Sequence, residues 1–335
     1  MRIGLAYDLK EDVAVSSSQP EDALEEYDSP ETVTGIAAAL QSLGRSVVRL
    51  GGGRKFITNI LQSNVAFAFN IAEGRGTYRS RETQVPAVLE MLDIPYSGSD
   101  PQCLAICLDK PLTKNLVDMA GVRTPSWRVF ESEAQLNEIG WGDFPFPVFL
   151  KPAYEGSSKG IRLGSRIETA AQATRVATEL IRHYRQPVMA EEFIAGEEVT
   201  VGIVGNTPPE ILGIMHVIPR EKSPYFVYSL EVKRDWERLV EYECPPKFDA
   251  GIIQEITDLS LKAFKVLGCR DFARLDFRIS REGKPYFLEV NPLPGLNPKS
   301  GDIVIMARKM GWSYESLIAA ILEAACKRYP QCVRK

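Results

Sequence analysis

The 335-residue chain predicts an α/β amino-terminal unit with a parallel, doubly wound sheet, followed by α+β structure. Three observations predict it. Short apolar runs alternate with helical patterns over the first hundred residues. Turn-forming residues gather in "IPYSGSDP" at 94–101, which marks a boundary. Beyond it, strand-like runs and long helical patterns continue to a hairpin pattern at 274–291.

The elements follow in order. "RIGLAY" is a strand, and a helix begins with Ser29 as N-cap and Pro30 in its first turn, ending at Gly44. "SVVRL" is the next strand, "KFITNILQS" a helix, "VAFAFNI" a buried strand and "SRETQVPAVLEML" a helix. The glycines at 51–53 read as a loop, because no G-x-G-x-x-G opens a helix there. A helix starts near Pro101, then "PSWRVF", "FPVFLKP" and "GIRLGS" read as strands and 168–185 as a helix. "VMAEEF", "EEVTVGIVG" and "EILGIMHVI" are further strands, and 219–249 reads as a long loop. Helices at 250–267, 302–310 and 313–328 flank and follow the hairpin.

Composition narrows the function. With 44% hydrophobic and 25% charged residues and a net charge of −4, the chain is an ordinary globular protein. That balance gives no sign of a basic face for nucleic acid or of a basic membrane anchor. No apolar run reaches the roughly 18 residues of a membrane helix, and "MRIGLAYDLKED" is a poor signal peptide, so a cytoplasmic location is expected. The six cysteines form no C-x-x-C pair and are expected to be free thiols. Cys103 and Cys107 share a helix face, but two thiols do not make a zinc site. His183 and His216 sit in no ligand-like cluster, so Cys or His catalysis is not expected.

The stretch "RLDFRISREGKPYFLEVN" carries the strongest local signal. With the turn centred on Glu282-Gly283, Leu275 pairs with Val290, Phe277 with Leu288 and Ile279 with Tyr286 on an apolar face. The other face sets Asp276 opposite Glu289, Arg278 opposite Phe287 and Arg274 opposite Asn291. Opposed carboxylates repel unless a cation lies between them. Two carboxylates and the Asn291 amide oxygen suit a hard cation such as Mg2+. The competing reading is a solvated polar face neutralised by Arg274 and Arg278. A second signal is "KPAYEGSSKGI" at 151–161, where Gly156, Ser157, Ser158 and Gly160 let backbone N–H groups approach a ligand closely. Lys151 and Lys159 add charge suited to a phosphate, although such a loop is often only a loop.

Taken together, these segments resemble the ATP-grasp superfamily and, within it, the D-alanine–D-alanine ligase family. The carrying residues are "FN" with the loop at 69–76, "IPYSGSD", "LDKPLTK" at 108–114, "KPAYEGSSKGI" and "EEFIAGEEVTV" at 191–201. "LGCRDFARLDF" at 267–277 and "LEVNPLPGLNPKS" at 288–300 complete a set that runs in order over nearly the whole chain. The resemblance implies a pre-ATP-grasp domain at 1–98, a small central ATP-grasp subdomain at 99–190 and a large subdomain at 191–335, with ATP between the last two. It implies that Lys110 and Lys151 meet the nucleotide phosphates, with Ser158 beside them. Glu191, Glu192, Phe193, Ile194 and Glu198 would meet adenine and ribose. Asp276, Glu289 and Asn291 would hold Mg2+, with Mn2+ as the alternative. Lys233 would reach the γ-phosphate, Arg274 and Gly295 the reaction's oxyanion, Ser300 the acceptor's carboxylate, and Ser157 would close over the donor.

Two positions depart from the family. Its His-Gly loop is Glu73-Gly74 here, and the usual tyrosine after the mobile-loop lysine is Arg234. Glu73 and Arg234, with Arg75, Arg79 and Arg81, are candidates for a pocket that takes a more polar amino acid. Glu25 and Glu31 are the candidates for the acid that orients the donor's ammonium. The expected function is an ATP-dependent ligase that joins two small amino acids through an acyl phosphate, with peptidoglycan biosynthesis as its setting. The alternatives are a ligase for another acid in specialised metabolism and a nucleotide sensor without catalysis. No nucleic-acid or membrane partner is expected, and the family often forms homodimers.

Overall fold

The computed structural model describes residues 1–14, 19–221, 223 and 225–333. The chain opens with β1 (Arg2–Ala6), α1 (Pro30–Ser42), β2 (Ser46–Gly51), α2 (Gly53–Gln62), β3 (Phe67–Asn70) and α3 (Gln84–Met91). The three strands form a parallel sheet in the order β2-β1-β3. Ser29 Oγ accepts from the Thr32 N–H at 3.3 Å, which satisfies one orphan donor of α1. Strand β3 is buried throughout because both faces of the sheet are covered. The glycines at 51–53 are a tight strand-to-helix junction rather than a free loop. Gly51 ends β2, Gly52 caps α2, and a Cβ on Gly52 would lie 1.8 Å from Asp8 Oδ1.

Next come α4 (Pro101–Leu108), α5 (Lys110–Met119), β4 (Trp127–Phe130), α6 (Glu133–Ile139), β5 (Val148–Pro152), β6 (Arg166–Ile167), α7 (Ala170–Tyr184) and β7 (Val188–Glu192). The strands form an antiparallel sheet in the order β4-β7-β5-β6. Its core joins Phe130, Trp141 and Leu150 to Ala173 and Ala177 of α7. "GIRLGS" is not a strand. The Arg162 N–H bonds to Ser165 Oγ at 2.8 Å, so a side chain closes a turn there and β6 starts only at Arg166.

The remainder holds β8 (Gly196–Val204), β9 (Glu210–Pro219), α8 (Leu230–Arg234), α9 (Trp236–Leu239), β10 (Val240–Glu243), α10 (Ala250–Val266), β11 (Phe272–Ser280), β12 (Pro285–Asn291), α11 (Asp302–Lys309), α12 (Tyr314–Lys327) and α13 (Pro330–Val333). Its antiparallel sheet runs β10-β9-β8-β11-β12. Cys103 and Val117, from α4 and α5, pack with Ile256 and Phe264 of α10 against Val201, Leu275 and Phe277. Ile303, Leu317 and Ile321 of α11 and α12 meet Ile3, Leu5 and Phe69, so the first and last parts of the chain share a core. The segment 219–249 is less of a loop than expected. Val232, Val240 and Tyr242 are buried against Met215, Val217 and Met306, and that burial orders α8, α9 and β10.

The hairpin departs from its expected register in the three pairs nearest the turn. Arg274 faces Asn291, Leu275 faces Val290 and Asp276 faces Glu289, as expected. A bulge follows Asp276, so Phe277 pairs with Phe287 rather than Leu288, Arg278 with Tyr286 and Ile279 with Pro285. The two phenylalanines stack edge to face in the core at 5.7 Å between centroids. Leu288 is the extra residue, and it lines the cleft beside Glu289.

Candidate active site

A cleft lies between the central sheet and the carboxy-terminal sheet. Period-2 alternation supplies its walls. On β5, Val148 and Leu150 enter the core, while Phe149 faces Glu191 of β7 and both line the cleft with Lys151. On β11, Leu275, Phe277 and Ile279 point inward, which leaves Arg274, Asp276 and Arg278 on the opposite face. Phe193, Ile194 and Val227 give the cleft an apolar part next to Glu198, and Lys233 lies at its edge.

The charges in the cleft are partly paired with one another. Lys151 and Lys114 both contact the Glu191 carboxylate, one at each oxygen. Burial lowers the Lys114 ammonium to about 8, although Glu191 works against that shift. Lys110, the first residue of α5, stands 3.6 Å from Glu289 and donates to the Glu155 carbonyl. Burial favours the neutral form of Glu289, but Lys110, Lys151, Lys233 and Arg274 outweigh it and bring its carboxyl down to about 2. Arg274 forms a fork with Asp276, at 3.0 Å from Nε and 2.8 Å from Nη2. Its Nη1 reaches Asp302 at 3.2 Å. Thr200 donates to Asp276 at 2.6 Å, and Asn291 Oδ1 accepts from the Leu293 N–H at 2.8 Å. Arg278 bonds to Glu198 at 2.5 Å.

The Gly-Ser loop turns through left-handed backbone at Ser157, Ser158 and Gly160, with φ of 50°, 58° and 74°. Its lysine does not face the cleft as the sequence suggested. Lys159 is buried against Glu26 at 3.0 Å and against Glu155, and Asp22 accepts the Gly160 N–H at 2.9 Å. The three arginines are likewise engaged rather than gathered around an open pocket. Arg81 is 1% exposed and donates to both Glu26 oxygens, to Glu155 and to the Tyr154 carbonyl. Arg75 pairs with Asp8 at 2.7 Å, and Arg79 is exposed at 3.7 Å from Asp109. Arg234 bonds to Glu25 at 2.5 Å, while Glu31 pairs with Lys299 at 2.8 Å. Burial raises the Glu73 carboxyl well above the usual range, and Glu82, Glu26 and Asp28 push it further. Gly295 and Ser300 lie exposed on the loop before α11.

The sequence profile of the family described as D-ala D-ala ligase C-terminus matches residues 112–323. A D-alanine–D-alanine ligase from Aquifex aeolicus is 34% identical over 88% of this chain and 94% of its own. The chain belongs to the D-alanine–D-alanine ligase family. Its members are ATP-dependent ligases with the ATP-grasp fold, and that fold class is the one the sequence predicts. An uncharacterized protein of Sinorhizobium fredii is 33% identical over 88% of this chain and 87% of its own. The fold matches that of a D-alanine–D-alanine ligase from Bacillus anthracis, solved in complex with ATP. The TM-score is 0.73, with 24% identity and 98% of both chains covered.

Several residues in or directly behind this family member's cleft carry weaker signals in the sequence, or none. Lys114 lies one turn after Lys110 in "LDKPLTK", and that i,i+4 spacing was the available signal. Thr200 could be inferred only after β8 is paired with β11, which sets it opposite Asp276. Asp302 comes from a separate helix and has no local signal.

Proposed function

We propose that this chain is a Mg-ATP-dependent carboxylate–amine ligase that forms a dipeptide through an acyl phosphate. The observation that carries the reading is one cleft lined by Lys151, Asp276 and Glu289, with Lys110 beside Glu289, within a chain of this family. ATP would lie with its base among Glu191, Glu192, Phe193 and Ile194, its ribose near Glu198 and its phosphates toward Lys110, Lys151, Ser158 and Lys233. A carboxylate is a poor electrophile. Transfer of the γ-phosphoryl group to a donor carboxylate oxygen gives an acyl phosphate, the acceptor's amine attacks its carbonyl carbon, and phosphate leaves. Arg274 and the backbone near Gly295 would balance the oxyanion, while Ser300 meets the acceptor's carboxylate. Ser157, Glu73 and Arg234 would border the donor.

The donor set fits a divalent hard cation. Asp276 and Glu289 are direct cross-strand partners, Asn291 adds an amide oxygen on the same face, and Glu289 is held ionised. Bound there, Mg2+ or Mn2+ would neutralise phosphate charge during transfer. No helix among the described residues is long and apolar enough to cross a membrane. A cytoplasmic location, a role in peptidoglycan synthesis and a homodimer complete the reading.

A second reading keeps the chemistry and changes the donor. It rests on the Arg234–Glu25 pair, which stands where the family has a tyrosine and occupies one candidate ammonium-orienting acid. ADP release measured with a panel of D- and L-amino acids tests both. Turnover with D-alanine alone is the expected result. Turnover only with another acid establishes the second reading, and ADP formation with none of them overturns both in favour of a sensor.

A further inference from the structure

Cys103 and Cys107 are joined in the fold by a third thiol. Cys269, in the turn between α10 and β11, brings its sulfur to 3.7 Å from that of Cys103, and the Cys103 and Cys107 sulfurs are 3.8 Å apart. All three lie within 4.8 Å of one another and are buried. In a tetrahedral zinc site with Zn–S bonds of about 2.3 Å, the sulfurs stand about 3.8 Å apart. Two of the three separations therefore already match that edge length.

The framework around them is built independently of any ion. Gly98 N–H donates to Asp271 at 2.8 Å and the Arg270 N–H donates to Ser99 Oγ at 3.0 Å. Arg270 also pairs with Asp100, and Arg328 forks onto Asp271 at 2.9 and 2.7 Å. These bonds tie the turn carrying Cys269 to the segment that begins α4, and they hold the Cys269 sulfur beside the helix that carries the other two. A surface cavity lined by Asp100, Gln102, Cys103, Gly268, Cys269 and Arg270 supplies an entry path and room for a water as fourth ligand.

We propose that Cys103, Cys107 and Cys269 form a three-thiolate site for a thiophilic divalent cation such as Zn2+, separate from the carboxylate site of the ligase reading. Binding would release the three thiol protons to solvent and leave a unit of single negative charge beside Arg270. The ion would staple α4 to the start of β11, the strand that carries Arg274 and Asp276.

The test uses the full chain, metal-free and kept reduced, with excess Mg2+ to occupy the carboxylate site. Titration with Co2+ is expected to give a thiolate-to-cobalt charge-transfer band that saturates at one equivalent and is displaced by Zn2+. Cys269→Ser and Cys107→Ala should each lose the band or bind at least tenfold more weakly, while Cys326→Ser keeps it. Zn2+ should also raise the Tm of the parent chain and not of Cys269→Ser. Circular dichroism checks that each variant folds, and one folded variant of the two suffices. Absence of the band in the parent chain, its persistence in a folded variant, or its loss in Cys326→Ser would overturn the proposal. None of these readouts depends on ligase activity, so failure here leaves the functional reading intact, and the reverse also holds.

Discussion

Two regions of this molecule are dense in charge, and they are wired differently. In the seam between the amino-terminal unit and the Gly-Ser loop, Arg81 and Lys159 face Glu26 and Glu155 at direct contact. Arg81 uses Nε, Nη1 and Nη2, and Gln186 takes the remaining Glu155 oxygen at 2.7 Å. In the cleft, Glu289 has its nearest cation 3.6 Å away, and Lys233 lies over the Tyr228 ring at 5.0 Å with no acid at ion-pair distance among the described residues. Charges that hold two parts of a fold together are saturated. Among the described residues, Glu289 and Lys233 are cleft charges without a close ion pair, and they leave a gap that a phosphate or a metal can fill, whereas Lys151 and Asp276 are paired with Glu191 and Arg274.

Mutation should separate the two regions. Arg81→Met breaks the saturated seam and leaves Glu26 and Glu155 with one cation between them. Removing one partner of a buried ion network costs about 3–5 kcal/mol. Denaturant unfolding should show that loss, with Mg2+ and ATP affinities close to those of the parent chain. If the variant is as stable as its parent, the seam is ornament. Arg274→Lys acts in the other region. It keeps the charge and loses the fork to Asp276, and kcat should fall about 10²–10³-fold, the usual cost of removing an oxyanion partner. The ATP KM should stay within a few-fold, and a loss confined to KM would remove Arg274 from the oxyanion. Glu289→Gln sharpens the contrast further. The Mg2+ concentration for half-maximal activity should rise about 10–100-fold, and an unchanged Mg2+ requirement would leave the acid without its metal role.

The same contrast explains what could be read from the sequence. Asp276 opposite Glu289 was legible as a hairpin pair, but the odd-length turn shifts the pairs nearest to it by one residue, and the bulge at Leu288 is what sets these two acids face to face. That bulge was not legible, since it answers to the packing of Phe277 on Phe287 rather than to the turn. The strands and long helices follow from period and caps. The ordering of 219–249 does not, because α8 and β10 exist through burial against β9 and α11. The seam was invisible. Glu26, Arg81 and Glu155 are scattered along the chain, and no periodicity links them. Cys269 joined Cys103 and Cys107 for the same reason, through a contact that only the tertiary fold creates.

Glu82 lies between the two regions and supplies the finest test. Burial raises its carboxyl to about 7, with Arg81 and Lys110 pulling it down and Glu26 pushing it up. Its unfolded counterpart titrates near 4.5. Between those values the folded chain binds more protons than the unfolded chain, so the sign is fixed. The stabilising contribution is full below about pH 4.5 and is lost as pH rises through about 7. Glu82→Gln removes the ionisation and keeps the shape. The variant should match its parent near pH 5 and exceed it at pH 8 by about 1–2 kcal/mol, a part of what the shift allows. Melts at pH 5, 6, 7 and 8 read this directly. A stability difference that stays constant across that range would mean that Glu82 is ionised in the fold throughout. The seam's unbroken set of paired charges would then extend one residue further toward the cleft.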